Sequence, residues 1–208
     1  MQKGEIVRVS YTGKMKESGE TFDKGEEVPM VVGAGFGIPG LEEALEQMKM
    51  GEKRTVEVSP TKGFGEHNNE LVSVVPEAEM KRHNVQPKQG MSMDTDRGRC
   101  RVVSVANGRV TLDFNHPLAG KTLIYEIEVK EKIENKTEQV KAMVQIFTRM
   151  EPSHITVDGN VTEITMPPLL HPVMKKRLAD EIRRHAGIDT IKFIEVFEKP
   201  KADTQKKE

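Results

Sequence analysis

Between two stretches that alternate apolar and polar residues, Glu5 to Tyr11 and Arg54 to Val58, the chain has room for one short helix. Alternation with a period of two marks a half-buried strand. In the interval, Leu41, Ala44, Leu45 and Met48 fall at i, i+3, i+4 and i+7, which makes a single apolar stripe. Pro39-Gly40 stands before this helix and Gly51 follows it as a stop. The pattern therefore predicts one helix laid against a sheet, an α+β fold.

A chain of 208 residues exceeds the usual domain of about 100–150, so more than one core is expected. After Gly63-Phe64-Gly65 a polar turn leads into Leu71-Val72-Ser73-Val74-Val75-Pro76, then a charged stretch, then Arg101 to Val105 and Arg109 to Phe114. Asn107-Gly108 joins the last two, a strong hairpin signal because both residues tolerate positive φ. Thr122 to Val129 alternates again and reads as a strand that rejoins the first sheet, which makes the β-rich middle an insertion. From Glu134 a third region offers a helix on Val140, Met143, Val144 and Phe147, and two short strands around Asp158-Gly159. A second helix, from Pro172 to a stop at Gly187, and a last strand, Ile191 to Phe197, complete a small α+β domain. The lysine-rich tail from Lys199 has nothing to bury and is expected to be disordered.

Lys+Arg of 32 against Asp+Glu of 33 leaves a net charge of −1, which supplies no global pull toward nucleic acid or an anionic membrane. The single cysteine, Cys100, cannot close an intramolecular disulfide, and no apolar run nears the ~18 residues of a spanning helix. The N-terminus enters its first strand almost at once, leaving no space for a secretory leader. These features predict a cytoplasmic protein.

The ordered set Tyr11-Thr12-Gly13, Gly19-Glu20-Thr21-Phe22-Asp23, Ile38-Pro39-Gly40-Leu41, Met48-Lys49-Met50-Gly51-Glu52-Lys53 and Gly63-Phe64-Gly65 resembles the FKBP-type peptidyl-prolyl cis-trans isomerases. The string Asn115-His116-Pro117-Leu118-Ala119-Gly120-Lys121-Thr122-Leu123, placed after a long insertion, resembles the SlyD branch and the longer archaeal members. The resemblance implies an antiparallel half-barrel sheet around one short helix, with a substrate proline entering an apolar cleft between them. It implies a discontinuous isomerase domain at 1–65 and 118–133, an inserted insert-in-flap chaperone domain at 66–117, a C-terminal domain at 134–198 and a tail at 199–208.

Positions matching the family's catalytic pocket are Tyr11, Phe22, Asp23, Ile38, Leu41, Phe64 and Tyr125, with Val28, Leu118 and Ala119 as substrate-binding neighbours. Leu41 stands where many members carry Trp, and Phe64 where many carry a Tyr whose hydroxyl can bond the substrate. Read without the resemblance, Phe22, Leu41 and Tyr125 suit an ordinary core, and Asp23-Lys24-Gly25 suits a turn. In the insertion, Leu71, Val72, Val74, Val75, Met91 and Met93 are candidates for an apolar surface that captures unfolded chain; the same residues could form the insertion's own core. Implied partners are unfolded proteins and proline-containing peptides, and the C-terminal domain implies a homodimer.

No cofactor or metal is expected. The histidines are scattered, and lysines replace the His-rich tail of some SlyD proteins. Gly33-Ala34-Gly35-Phe36-Gly37 lacks the third glycine and the βαβ unit of a dinucleotide site. Lys175, Lys176, Arg177, Arg183 and Arg184 are interrupted by Asp180 and Glu181, as on a solvated helix face. The function this predicts is a prolyl isomerase coupled to ATP-independent chaperone activity. Its rival is a holdase that grips proline segments without turning them over.

Overall fold

The computed structural model describes residues 1–166 and 170–197, so the expected tail lies outside the described residues. In chain order the elements are β1 (Ile6–Met15), β2 (Thr21–Val31), α1 (Pro39–Gln47), β3 (Lys53–Val58), β4 (Val72–Pro76) and α2 (Glu77–Arg82). They continue with β5 (Ser92–Thr95), β6 (Gly98–Ala106), β7 (Arg109–Asp113), β8 (Leu123–Lys132) and α3 (Lys136–Thr148). The last are β9 (His154–Asp158), β10 (Val161–Met166), α4 (Pro172–Ala186) and β11 (Thr190–Glu195). The chain gathers into two compact units, one of Met1–Gly13, Thr21–Val56 and Tyr125 onward, the other of Lys14–Glu20 and Glu57–Ile124.

The first unit carries the half-barrel sheet, in strand order β2-β1-β8-β3, around α1. The alternation of β8 buries Leu123, Tyr125, Ile127 and Val129 on one face, as the period-two pattern requires. Leu41, Ala44 and Leu45, the predicted stripe of α1, are buried, and Met48 beyond its end is buried with them. β2 is the strand that alternation does not announce. Glu27 within it takes φ 53, a left-handed value unusual for a side chain with Cβ, and its N–H is bonded by the Ser10 hydroxyl at 3.1 Å.

The same unit holds the C-terminal elements. Asn135 caps α3 by accepting the Glu138 amide, and α4 begins with Pro172 and ends at Gly187 in the left-handed region. β10 is central in a three-stranded sheet, antiparallel to β9 and, across the α4 crossover, parallel to β11. One hydrophobic cluster runs from Ile6 of β1 and Val31 of β2 through Val140, Met143 and Val144 of α3 to Leu178, Ile182 and Ile188. Arg8 reinforces the junction by pairing with Glu131 at 3.1 Å and Glu138 at 3.0 Å.

In the second unit β4, β7, β6 and β5 form an antiparallel sheet in that order over a small core of Met80, Cys100, Val102, Val110 and Leu112. Asn107 and Gly108 take φ of 51 and 67, the turn that their dipeptide predicts. The two ends of the segment that carries this sheet are tied together. Gly120 donates to the Gly65 carbonyl at 2.8 Å, Phe114 to Leu71 at 2.9 Å, and the Asn115 side chain bonds both the N–H and the carbonyl of Asn68, each at 2.9 Å.

Candidate active site

β1 lies between β2 and β8, so residues distant in sequence meet across neighbouring strands. Tyr125, 3% exposed, is the centre of the meeting. Phe22 approaches it edge-on with centroids 5.8 Å apart at 85°, and Tyr11 lies tilted at 6.1 Å and 53°. Such edge and tilted contacts suit the ring quadrupoles. Two glycines make the convergence sterically possible. A Cβ on Gly13 would sit 2.7 Å from Phe22 Cζ and 3.0 Å from Tyr125 Cε1, and one on Gly25 would sit 2.6 Å from Val28 Cγ2 and 2.7 Å from Tyr11 Cε1. Sequence reasoning did not assign either glycine to the site; the signal available was their place in Tyr11-Thr12-Gly13 and Asp23-Lys24-Gly25.

The Tyr11 hydroxyl donates to an Asp23 carboxylate oxygen at 3.1 Å. Asp23 is exposed and Phe22 half-buried, so the cluster opens to solvent on that side. Burial first, and then the Asp23 carboxylate, push both the Tyr11 and the Tyr125 phenols up to about 12. A folded value above the ordinary 10.0 gives stability that is complete below pH 10 and falls as pH rises toward 12. The chain has only 2 tyrosines, so near-ultraviolet tyrosinate absorbance reports on this site alone. In an alkaline titration, the native chain should remain protonated where urea-unfolded chain is already ionising; coincident curves would contradict the buried placement.

Two further expected positions, Ile38 and Leu41, lie at the start of α1 and in its first turn. The N–H groups of Gly35 and Gly37 donate to the Glu42 carboxylate at 2.9 and 2.7 Å, which fastens the glycine-rich loop to the first helical turn. Ile38 is the half-buried N-cap residue, and Leu41 is 4% exposed. Val28 is half-buried beside Gly25.

The remaining expected positions lie in the second unit. Phe64 stacks flat on His116, with centroids 4.4 Å apart at 3°, a partner that sequence reasoning did not single out. The Leu118 amide donates to His116 Nδ1 at 3.2 Å, and Ala119 is buried. The expected apolar-surface candidates between Leu71 and Met93 divide by exposure. Val74 at 57%, Leu71 at 41% and Met91 at 37% face solvent, Val72 is half-buried, and Val75 and Met93 pack against the small core around Val102 and Val110. β4, which carries Leu71's neighbours Val72 and Val74, is an edge strand.

A concave surface of about 960 Å³ shares Tyr11 and Gly25 with the aromatic cluster, but Lys24, Glu26, Arg54 and Glu128 give it a charged lining unsuited to a proline ring. Among the described residues no cluster of His, Cys, Asp and Glu has the arrangement to hold a metal ion. No helix among them is long and apolar enough to cross a membrane.

A half-barrel sheet with one short helix, bearing an open aromatic cluster with the Asp23 carboxylate at its edge, is the arrangement expected of a peptidyl-prolyl cis-trans isomerase. The model of the FKBP-type peptidyl-prolyl cis-trans isomerase domain matches residues 1–130, and the chain belongs to that family. It is 33% identical over 130 residues to the short-type peptidyl-prolyl cis-trans isomerase of Methanocaldococcus jannaschii, covering 62% of this chain and 83% of that one. It is 32% identical over 146 residues to the FKBP-type isomerase SlyD of Treponema pallidum, covering 67% and 82%. A probable FKBP-type 16 kDa isomerase of Pseudomonas fluorescens is 36% identical over 114 residues, covering 52% and 74%.

Proposed function

We propose that the chain accelerates X-Pro isomerisation in folding cytoplasmic proteins, and that its insertion captures unfolded chain without ATP and delivers prolines to the cleft. Rotation about an X-Pro bond meets a barrier of about 18–20 kcal/mol because resonance holds the amide planar, and spontaneous exchange takes about 10–100 s. In the twisted transition state conjugation is lost and the carbonyl is less charge-separated, so an apolar, water-poor wall favours it over the planar ground state. No nucleophile is required. The observation that carries this reading is the convergence of Phe22, Tyr11 and Tyr125, with Asp23 held at the rim by the Tyr11 hydroxyl.

In this reading Phe22, Ile38, Leu41 and Tyr125 hold the proline ring, and Val28 lines the substrate's path. Asp23 fixes Tyr11 and faces the rotating carbonyl carbon. Losing a hydrogen bond to a charged group costs about 1.5 kcal/mol, so Asp23→Ala should lower kcat/KM for a proline tetrapeptide about tenfold. An unchanged rate would remove Asp23 from the mechanism.

The functional parts we assign are residues 1–65 with 118–133 for isomerisation, 66–117 for capture and 134–198 for association. The edge strand β4, with Val74 bare on it and Leu71 bare just before it, supports the capture role because unpaired strand edges add extended chain. Association is supported by Ile194, Val196 and Phe197, exposed at 39%, 47% and 79% on and just beyond the edge strand β11. Sedimentation should give a dimer for the full chain and a monomer for Phe197→Asp; a monomeric full chain would refute the association role.

A further inference from the structure

The loop that delivers Ile38 to the cleft runs Gly33-Ala34-Gly35-Phe36-Gly37, so Phe36 is its one large side chain. Glycine-rich backbone loses much entropy on ordering, and Phe36 is where a side-chain anchor can act. Its ring is held by the C-terminal elements of the same unit. Phe147 of α3 meets it edge-on, with centroids 4.9 Å apart at 80°, and the His185 imidazole of α4 meets it at 6.1 Å and 76°. The Phe147 ring is itself held. The Arg177 guanidinium stands 5.5 Å over the Phe147 ring. The His185 side chain, 8% exposed, lies 3.3 Å from Glu181, whose carboxylate Arg184 grips at 3.0 Å. The amides on either side of Phe36 are meanwhile bonded to Glu42 of α1. The loop is thus pinned from one side by the helix it opens and from the other by α3 and α4.

We infer that Phe147 and His185 are positioning residues for isomerisation: through Phe36 they hold the loop from Gly33 to Ile38, and with it the entry of α1, in the geometry the cleft requires. The inference rests on the reading of Ile38 and Leu41 as parts of that cleft. The family match ends at residue 130, so α3 and α4 lie beyond it, and the inference gives that appended region a part in the chemistry. Small misplacements of positioning groups are costly because the favourable geometry is narrow.

In the full-length chain, Phe147→Ala should lower kcat/KM for a proline tetrapeptide about tenfold and speed amide exchange at Gly35 and Gly37. Because the two rings act as one contact, Phe36→Ala combined with Phe147→Ala should lose little more than either alone. Ile191→Ala, in the same hydrophobic cluster but on β11, should lower Tm while leaving kcat/KM within about twofold. A folded Phe147→Ala chain with the wild-type rate, or rate losses that simply add, would overturn the inference. If Phe147→Ala does not fold, Phe147→Leu and His185→Ala provide the same comparison, and wild-type rates in both would be fatal. Tyr125→Ala, run alongside, separates the two readings. Full activity there removes the cleft itself, whereas loss there with full activity in Phe147→Ala removes only the brace.

Discussion

Replacing residues 66–117 with a short loop is expected to leave isomerisation of a short proline peptide within about threefold of the full chain while lowering catalysed refolding of a proline-limited protein about a hundredfold. Bond rotation uses only groups outside that segment, whereas a large client gains from being held near the cleft, and tethering of this kind raises apparent affinity by about 10²–10⁴. The replacement is sterically practicable, since Gly65 is already joined by a 2.8 Å hydrogen bond to Gly120, two residues beyond Leu118 where the new loop must end, so the gap is short. Residues 66–117 have a core of their own around Val102 and Val110, so their removal takes a whole four-stranded sheet. Peptide and protein rates falling together would refute this division of labour.

The second large effect is expected from Gly13→Ala, with a loss of about a hundredfold in kcat/KM. The added methyl would sit 2.7 Å from Phe22, closer than real contacts allow, and 3.0 Å from Tyr125, tighter than nearly all of them. Both clashing atoms belong to the outer parts of aromatic rings, so the fold can respond by swinging Phe22 aside. The damage should therefore fall on activity more than on stability. Tyr125→Ala provides the contrast. Removing a ring that is 3% exposed should cost about 3–5 kcal/mol of stability as well as turnover, and Tyr125→Phe should recover most of the stability. Thermal unfolding measured with peptide kinetics distinguishes the two. A Gly13→Ala chain of full activity would show that the rings do not form the working surface.

Much of this fold can be read directly from local chemistry. Asn107-Gly108 takes the positive φ values that only a tight hairpin requires, Pro172 and Gly187 bound α4, and the stripe from Leu41 to Met48 is buried along its length. Each signal is complete within a few residues. β2 is harder to read because Asp23-Lys24-Gly25 suits a turn and Glu27 sits in a left-handed conformation inside the strand. The site divides similarly. Tyr11, Phe22 and Asp23 are recognisable as members of an ordered motif set, and Tyr125 as a position matching the family's pocket. The reason Gly13 and Gly25 must be glycine appears only when rings from other strands come within 3 Å of their absent Cβ atoms. Phe36 is the extreme case. Apolar periodicity in α3 and α4 says that one face is buried, but not that the burial includes a loop residue beside the cleft.

The most direct test is refolding of a proline-limited protein with the chain present at a small fraction of the substrate's concentration. The account predicts that the slow phase accelerates in proportion to added chain, that each chain serves many substrate molecules, and that Asp23→Ala weakens the acceleration. Protection from aggregation only at stoichiometric amounts, with the slow phase unchanged, would contradict it and leave a holdase that binds proline segments without turning them over.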